Sequence, residues 1–303
     1  MNAAPPALSL IVPTRGRPHL LAQFIRSLIA TTRRPHQVEV VLVVDEDDAV
    51  PGVRAPFPVR SVVGPPGRTM GELNRAGYAA ARGEFVMLLN DDVVARTRGW
   101  DSVVLKCFRR FPDPIALVHV NDTLIRDYLC TFPILPRAYI EMIGGICPAV
   151  YERYRIDDHI EDPFNMLAFV GVRRSIYLPD VAFEHRNSVN HPTAGAVYES
   201  DPAILARDST RFEDLLPQRK ATALRLLERI EGRLDPRKAA RIKSIVDSFD
   251  LRVAGRQNVV RAPWVRRAPS ELLACGKRLH ACYARAGARG LVRAAVNRLA
   301  HHQ

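Results

Sequence analysis

A short apolar run that ends in two neighbouring carboxylates constrains this chain more than any other stretch. Residues Phe85 to Leu89 are all apolar and are followed by Asn90, Asp91 and Asp92. A continuous apolar run of this length is typical of a strand covered on both faces. Open α/β sheets bind ligands beyond the carboxyl ends of their strands, so the two acids are expected at such a site. The alternative is that Asn90 to Asp92 only turn the chain after the strand.

The pattern of a strand followed by a helix recurs upstream of this run. Leu8 to Val12 and Val38 to Val44 predict two further strands. Apolar residues at helical spacing follow over His19 to Ile29, and an alanine-rich helix is predicted from Thr69 to Arg82. Strands that alternate with helices predict an α/β fold with a mostly parallel, doubly wound sheet and helices on both faces.

The rest of the chain gives a coarser assignment. Residues 51–66 are rich in proline and are predicted to be a connector. Further predicted elements are a strand at Ile115 to Val120, a helix at Arg137 to Ile143, extended pieces at Ser175 to Leu178 and Val181 to Phe183, and helices at Arg211 to Arg233, Arg237 to Phe249 and Ser270 to Ala300. We therefore divide the chain into an α/β domain, residues 1–202, and a basic helical extension, residues 203–303.

The formal net charge of +12 lies in the last third of the chain. Residues 1–202 contain 22 Lys and Arg against 23 Asp and Glu, whereas residues 203–303 contain 22 against 9. From residue 251 onward there are 11 basic residues and one acidic residue. Such a tail favours an anionic surface, and we predict that residues 251–303 contact an anionic membrane. The alternative is a solvated helical face. Nucleic acid is disfavoured because aromatic residues are sparse there.

Cysteine usage and hydropathy bear on the compartment. The five cysteines are scattered and show no paired metal-binding spacing, which disfavours a disulfide framework or a zinc site and favours a cytoplasmic setting. No stretch approaches the roughly 20 apolar residues of a membrane span. We expect a cytoplasmic protein, with peripheral attachment at the inner face of the membrane as the hypothesis for the basic tail.

Acidic and imidazole side chains at the predicted strand ends are the candidates for chemistry. Asp45 follows the second strand, where an acid can bind a ribose or base. Asp92 and His185 could share a metal ion that carries a diphosphate. The chain has no Gly-x-Gly-x-x-Gly fingerprint after its first strand, no phosphate loop and no Gly-x-Ser-x-Gly elbow. These absences argue against NAD enzymes, common nucleotide hydrolases and serine hydrolases.

A set of short motifs in a fixed order carries a resemblance to a known family. The motifs are Leu10 to Pro18, Val41 to Asp45, Asn74 to Gly77 with Ala80 to Phe85, Leu88 to Val93, Gly99-Trp100 and Tyr177 to His185. Over residues 8–185 the chain resembles the inverting glycosyltransferases of family 2, which have the GT-A fold. The basic helical remainder matches no family that we can name.

The resemblance implies a function and a set of site residues. It implies metal-dependent, inverting transfer of a sugar from a nucleoside-diphosphate sugar to a hydroxyl, with a glycan or lipid-linked acceptor and Mn²⁺ or Mg²⁺ as the cofactor. This chain departs from the family's Asp-x-Asp motif, because Asn90 occupies the first position. The implied donor-binding residues are Pro13, Thr14, Arg15, Asp45, Arg68, Asn74 and Asp91, and the implied metal ligands are Asp92 and His185.

The family also needs a carboxylate that deprotonates the acceptor hydroxyl, upstream of the histidine. The segment 157–163 offers four candidates, namely Asp157, Asp158, Glu161 and Asp162. The usual spacing between this acid and the histidine in the family fits Glu161 or Asp162 somewhat better, whereas the paired-acid pattern fits Asp158. We favour Asp158, with Asp162 next. The alternative is that this acidic segment is only a solvated turn or helix cap.

Two other functions remain compatible with the sequence. A sugar nucleotidyltransferase would need a glycine-rich loop after the first strand to bind a triphosphate, and residues 14–18 suit that role poorly. A non-catalytic scaffold of the same fold would use its basic tail to bind a membrane or a partner. Stabilisation by a nucleotide and a metal would separate an enzyme from a scaffold.

Overall fold

A mixed sheet with helices on both faces forms the centre of the molecule. The computed structural model describes residues 5–49, 52–186, 201–248, 251 and 258–260. Its strands are β1 (Leu8–Pro13), β2 (Val38–Asp45), β3 (Val59–Gly64), β4 (Phe85–Leu88), β5 (Val93–Ala95), β6 (Leu117–Asn121), β7 (Pro133–Pro136), β8 (Ser175–His185) and β9 (Asn258–Val259). Its helices are α1 (Pro18–Thr31), α2 (Met70–Ala80), α3 (Trp100–Phe108), α4 (Arg137–Ile143), α5 (Ile156–Phe169), α6 (Pro202–Asp214), α7 (Leu216–Glu231) and α8 (Pro236–Lys243).

The strand order places the strand ends of interest next to one another. The order is β3-β2-β1-β4-β7-β6-β8-β5, and β9 pairs with β8. The first four of these strands are parallel, β7 is antiparallel to both of its neighbours, and β6 and β8 are again parallel. The carboxyl ends of β1, β2 and β4 therefore share one edge. The prediction of a mostly parallel, doubly wound sheet is confirmed.

Alternate residues of the central strands face two separate hydrophobic layers. In β1, Leu10 and Val12 pack into the layer that contains α1 and α3, whereas Ile11 packs into the layer on the other face. The second layer contains residues from α2, α4, α5 and α7. This is the burial expected of strands covered on both sides, and it explains why their sequences are continuously apolar.

The C-terminal helices pack on the second layer. Phe212 of α6 and Leu226 of α7 belong to the same buried cluster as Phe164 of α5. The predicted boundary between residues 202 and 203 is not tested by this packing and stays a prediction. The predicted helix at Ser270 to Ala300 lies outside the described residues. Among the helices that the structure describes, none is long and apolar enough to cross a membrane.

Several elements differ from the sequence assignment. The predicted connector at residues 51–66 contains β3, and β7 forms between two prolines. The two predicted extended pieces near Pro179 form one strand, β8. The helix predicted from Arg211 to Arg233 is divided at Leu215, because Pro217 favours the first turn of a new helix.

Candidate active site

The β1–α1 loop contacts the acids that follow β4. The Thr14 hydroxyl donates a 2.8 Å hydrogen bond to Asp91 Oδ2, and Arg17 forms an ion pair with Asp91 Oδ1. Asp91 is fully buried. Burial raises its pKa to about 6, although the charge of Arg17 and the Thr14 hydrogen bond oppose this shift. Asp91 therefore joins β4 to the β1–α1 loop.

Asp92 and His185 converge at the same edge of the sheet. Asp92 Oδ1 lies 3.4 Å from His185 Nε2, and the Asn90 amide nitrogen is also 3.4 Å from that ring nitrogen. The pairing of Val93 with His185 in the β5–β8 ladder fixes this contact. His185 also packs edge-on against Phe132, with the ring centroids 5.3 Å apart. Two side chains that are 93 positions apart in sequence thus face each other.

Asp92 and His185 each shift the pKa of the other. Burial alone would raise the pKa of the Asp92 carboxyl, but His185 and Arg17 hold it below its usual value. Burial also opposes protonation of His185, yet its pKa is raised by Asp92 and by the negative charges of Asp122 and Asp157. Negative charge from Asp92, Asp122 and Asp157 therefore acts on one imidazole, while the positive charge of Arg17 acts on Asp92.

A divalent ion fits between Asp92 and His185. Two ligands at right angles around an octahedral ion with bonds of about 2.1 Å are about 3 Å apart, so the 3.4 Å separation needs only a small adjustment. Among the described residues, no group of three His, Cys, Asp or Glu side chains is arranged to hold a metal. Mg²⁺ and similar hard ions are commonly held by one or two carboxylates together with substrate phosphates and water, so a two-residue protein site is compatible with them.

Arginines enclose the carboxylate at the end of β2. Arg15 forms an ion pair with Asp45 Oδ2, and Arg68 Nη2 donates to Asp45 Oδ1 at 3.1 Å and to the Val44 carbonyl at 2.9 Å. Arg15 Nη2 also donates to Asp47 at 2.7 Å. The structure thus brings together three of the predicted donor-binding residues, Arg15, Asp45 and Arg68.

Two other predicted donor-binding residues, Pro13 and Asn74, are buried. Pro13 is the last residue of β1 and is buried. Asn74 lies in α2 and is also buried. A capping box forms at the start of α2, where Thr69 Oγ1 accepts from the Glu72 N–H at 3.1 Å and Glu72 accepts from the Thr69 N–H at 2.9 Å. This cap explains why the helix begins after Thr69.

The four acidic candidates for the base lie in the first two turns of α5, in different surroundings. Asp162 is buried and pairs with Arg219 at 2.6 Å. Glu161 is buried, and burial raises its pKa well above the usual value. Asp158 is buried, with Arg155 Nη1 at 3.4 Å from its Oδ2. Asp157 is partly exposed, and its charge acts on His185.

The helical extension holds the start of α5. Asp208 of α6 accepts hydrogen bonds of 2.8–3.0 Å from the backbone N–H groups of Glu152, Arg153 and Tyr154. Arg155, which precedes α5, has a left-handed backbone with φ of 70°. The segment that leads into α5 is therefore held by contacts with Asp208, which lies beyond position 202.

Sequence reasoning missed three residues at or near this site. Arg17 was assigned no role, Asp122 was not recognised near His185, and Asp208 was not connected with α5. Asp122 accepts from the backbone N–H groups of residues 124, 125 and 126 and supplies the carbonyl that accepts from the His185 N–H at 3.1 Å. No local spacing reveals these partners, because each is more than 50 positions away in sequence.

Comparisons with known proteins bear on the family and the fold of the chain. The chain matches the family described as Glycosyl transferase family 2 over residues 9–177, more than half of its length. No curated protein matches it. Among solved structures, the mannosyltransferase PcManGT from Pyrobaculum calidifontis, in complex with GDP-Man and Mn²⁺, is 17% identical with a TM-score of 0.52, and the match covers 98% of this chain and 80% of that one.

A second similar structure is S. aureus TarS, residues 1–349, in complex with UDP-GlcNAc. It is 15% identical with a TM-score of 0.50, and the match covers 77% of this chain and 69% of that one. These similarities confirm the predicted GT-A fold. The chain belongs to glycosyl transferase family 2 and is a glycosyltransferase.

Proposed function

We propose that this glycosyltransferase is metal-dependent and inverting, and that it moves a sugar from a nucleoside-diphosphate sugar to a hydroxyl acceptor. The convergence of Asp92 Oδ1 and His185 Nε2 at 3.4 Å carries this proposal. The pair lies at the edge where the strand ends meet, and Asp45, which Arg15 and Arg68 contact, lies at the end of β2 on the same edge. Similar folds with GDP-Man and Mn²⁺, or with UDP-GlcNAc, support a nucleotide-sugar donor.

Different side chains at this edge would bind the nucleotide and the metal ion. Arg15, Asp45 and Arg68 would bind and orient the nucleotide, because they present charged donors and an acceptor at the end of β2. Asp92 and His185 would hold Mn²⁺ or Mg²⁺. A divalent ion there supplies Lewis-acid stabilisation to the departing diphosphate. Attack by the acceptor hydroxyl from the face opposite the departing diphosphate would invert the anomeric centre.

We propose Asp157 as the base that accepts the proton of the acceptor hydroxyl. A general base needs access to substrate and a carboxylate that is ionised near neutral pH. Asp162 is committed to a buried ion pair with Arg219, and burial keeps Glu161 protonated to higher pH. Asp158 is buried beside Arg155. Asp157 is partly exposed and its charge raises the pKa of His185, so access to substrate favours it over Asp158 and Asp162, which the sequence favoured.

Ligand-dependent melting tests the donor and the metal together. GDP and UDP would each be added to the protein with and without Mn²⁺, and to an Asp92→Asn variant as the matched control. We expect one nucleotide to raise the melting temperature of the wild type only with Mn²⁺, because a ligand of the folded state stabilises it. No shift with either nucleotide would count against the proposal. Turnover of a panel of nucleotide sugars would then identify the donor.

Single carboxylate replacements test the base. Asp157→Asn should lower kcat by about 100-fold or more while nucleotide binding is retained, because it removes the proton acceptor and leaves the contacts among Arg15, Asp45 and Arg68 in place. Asp158→Asn serves as the comparison and should retain measurable turnover if it folds. A larger loss of kcat in Asp158→Asn than in Asp157→Asn would assign the base to position 158.

We propose an acceptor at an anionic membrane, either a glycan or a lipid-linked molecule. The support is compositional, namely 11 basic residues and one acidic residue from position 251 onward. Each basic residue near an anionic surface contributes about 1 kcal/mol to binding. Full-length protein should co-sediment with phosphatidylserine vesicles and detach at high salt. Equal sedimentation by a chain that ends at residue 250 would contradict the role of residues 251–303.

A further inference from the structure

Arg17 places a guanidinium group between the two acids that follow β4. It pairs with Asp91 Oδ1, and its Nη1 lies 3.7 Å from Asp92 Oδ2. Its side chain is only 15% exposed, so the charge is held inside the site. The other oxygen of Asp92, Oδ1, faces His185. Arg17 and a cation between Asp92 and His185 would therefore share one carboxylate.

Because Arg17 and the cation would share the Asp92 carboxylate, the positive charge of Arg17 would oppose cation binding. At the end of β4, Asp91 and Asp92 supply two negative charges, and Arg17 cancels one of them. A divalent ion held by the protein alone would sit beside a fixed positive charge, and like charges in a partly buried site repel strongly. The diphosphate of a nucleotide would bring additional negative charge and oxygen ligands, which offset the repulsion.

We propose that Arg17 makes cation binding at Asp92 and His185 conditional on the donor. This inference rests on the proposed function. The protein alone binds the cation weakly because Arg17 neutralises part of the site, and the cation binds tightly only together with a nucleoside diphosphate. Arg17 is then a positioning residue that acts through Asp92, and its effect is a coupling between two ligands rather than a contact with the reacting atoms.

Mn²⁺ binding without nucleotide is the direct test. Binding to the full chain would be followed by the electron paramagnetic resonance signal of free Mn²⁺. We expect Arg17→Gln to bind Mn²⁺ about tenfold more tightly than the wild type, because a nearby positive charge is removed. Arg17→Lys keeps the charge and should stay near the wild type.

Arg96→Gln is the matched control. Arg96 is also paired with a carboxylate, Glu184, in the adjoining β5–β8 ladder, and it has no ion pair with Asp91 or Asp92. Its replacement removes the same charge from the same part of the molecule and should leave Mn²⁺ affinity unchanged. An equal gain in Arg96→Gln would overturn the proposal, because the effect would then be a general one of net charge.

The coupling supplies the second readout. Adding GDP or UDP should raise Mn²⁺ affinity more in the wild type than in Arg17→Gln. Equal Mn²⁺ affinities of the two proteins without nucleotide, or no Mn²⁺ binding by either, would overturn the inference. If Arg17→Gln does not fold, the wild type still decides, since a Kd below about 10 μM for Mn²⁺ alone would also overturn it. Failure of both nucleotides to bind would instead refute the proposed function, because the comparison without nucleotide is independent of it.

Discussion

Gly64 gives the Arg68 guanidinium the space that it occupies. A Cβ atom built at Gly64 would lie 2.7 Å from Arg68 Nη1. This is the far end of a flexible side chain, so a methyl group there would move Arg68 rather than the backbone. Gly64 is paired with Asp45 across the β2–β3 ladder, which places this displacement directly at the proposed nucleotide site.

We expect Gly64→Ala to weaken nucleotide binding with little loss of stability. Displacing a charged hydrogen-bond donor costs about 1.5 kcal/mol, which corresponds to about tenfold in Kd. Isothermal titration calorimetry would measure this Kd, with the nucleotide that raises the melting temperature of the wild type. Val63→Ala is the control, because Val63 is exposed in the same strand. This variant should bind the nucleotide with the affinity of the wild type. Equal Kd values for Gly64→Ala and the wild type would contradict the role of Arg68.

At the scale of elements, a buried ion pair joins α5 to α7. Arg219 and Asp162 are both buried, and the Arg219 guanidinium also lies 3.6 Å from the centroid of the Phe212 ring. Arg219→Met should lower the free energy of unfolding by about 3–5 kcal/mol, since it leaves a buried carboxylate without its cation. Urea denaturation would measure the loss.

Two companion variants separate the ion pair from other effects of this substitution. Arg219→Met combined with Asp162→Asn should recover part of the stability, because the buried charge is removed as well. Arg207→Met breaks an exposed pair with Glu152 and should change stability little. A loss in Arg207→Met as large as that in Arg219→Met would show that burial does not determine the cost.

Element prediction from the sequence succeeded where strands are central and failed where prolines flank them. β1, β2 and β4 were predicted because strands covered on both faces are continuously apolar. β3 lies between Pro58 and Pro65, and β7 begins and ends with proline, so both resembled loops. α5 was not assigned from the sequence, and Pro163 lies inside it.

The site was predictable to the extent that strand order determines it. Acids at the ends of β2 and β4 lie at one edge once the strands are parallel, so the placement of Asp45 at the same edge as the β4 acids followed from the pattern. The partners of Arg17 and Asp208 depend on loop conformation and on packing of the extension. Hydrophobic periodicity carries no information about such contacts.

At the scale of the whole molecule, His159 links stability to pH. Its Nδ1 is 2.9 Å from the Tyr151 hydroxyl, and burial, assisted by the charge of Arg219, lowers its pKa to about 3. The unfolded chain takes up this proton near its ordinary pKa of 6.5. Between these values the unfolded state binds more protons, so lowering the pH favours unfolding.

We expect acidification from about pH 7 to about pH 5 to cost the wild type about 2 kcal/mol more than His159→Asn. The asparagine keeps an acceptor near the Tyr151 hydroxyl but does not titrate in this range. Urea denaturation of both proteins at the two pH values would measure the difference. Parallel losses of stability would show that His159 does not contribute.

The anchoring of α5 by Asp208 and Arg219 has a consequence for biosynthesis. The ribosome makes the sheet strands β1 to β8 and α5 before it makes either anchor. The nascent chain can thus build most of its sheet while the turn that carries the proposed base still lacks these contacts. Chains whose translation stops before position 219 would leave Asp162 without its cation, so catalytic competence is expected to arise late in synthesis, after the scaffold has formed.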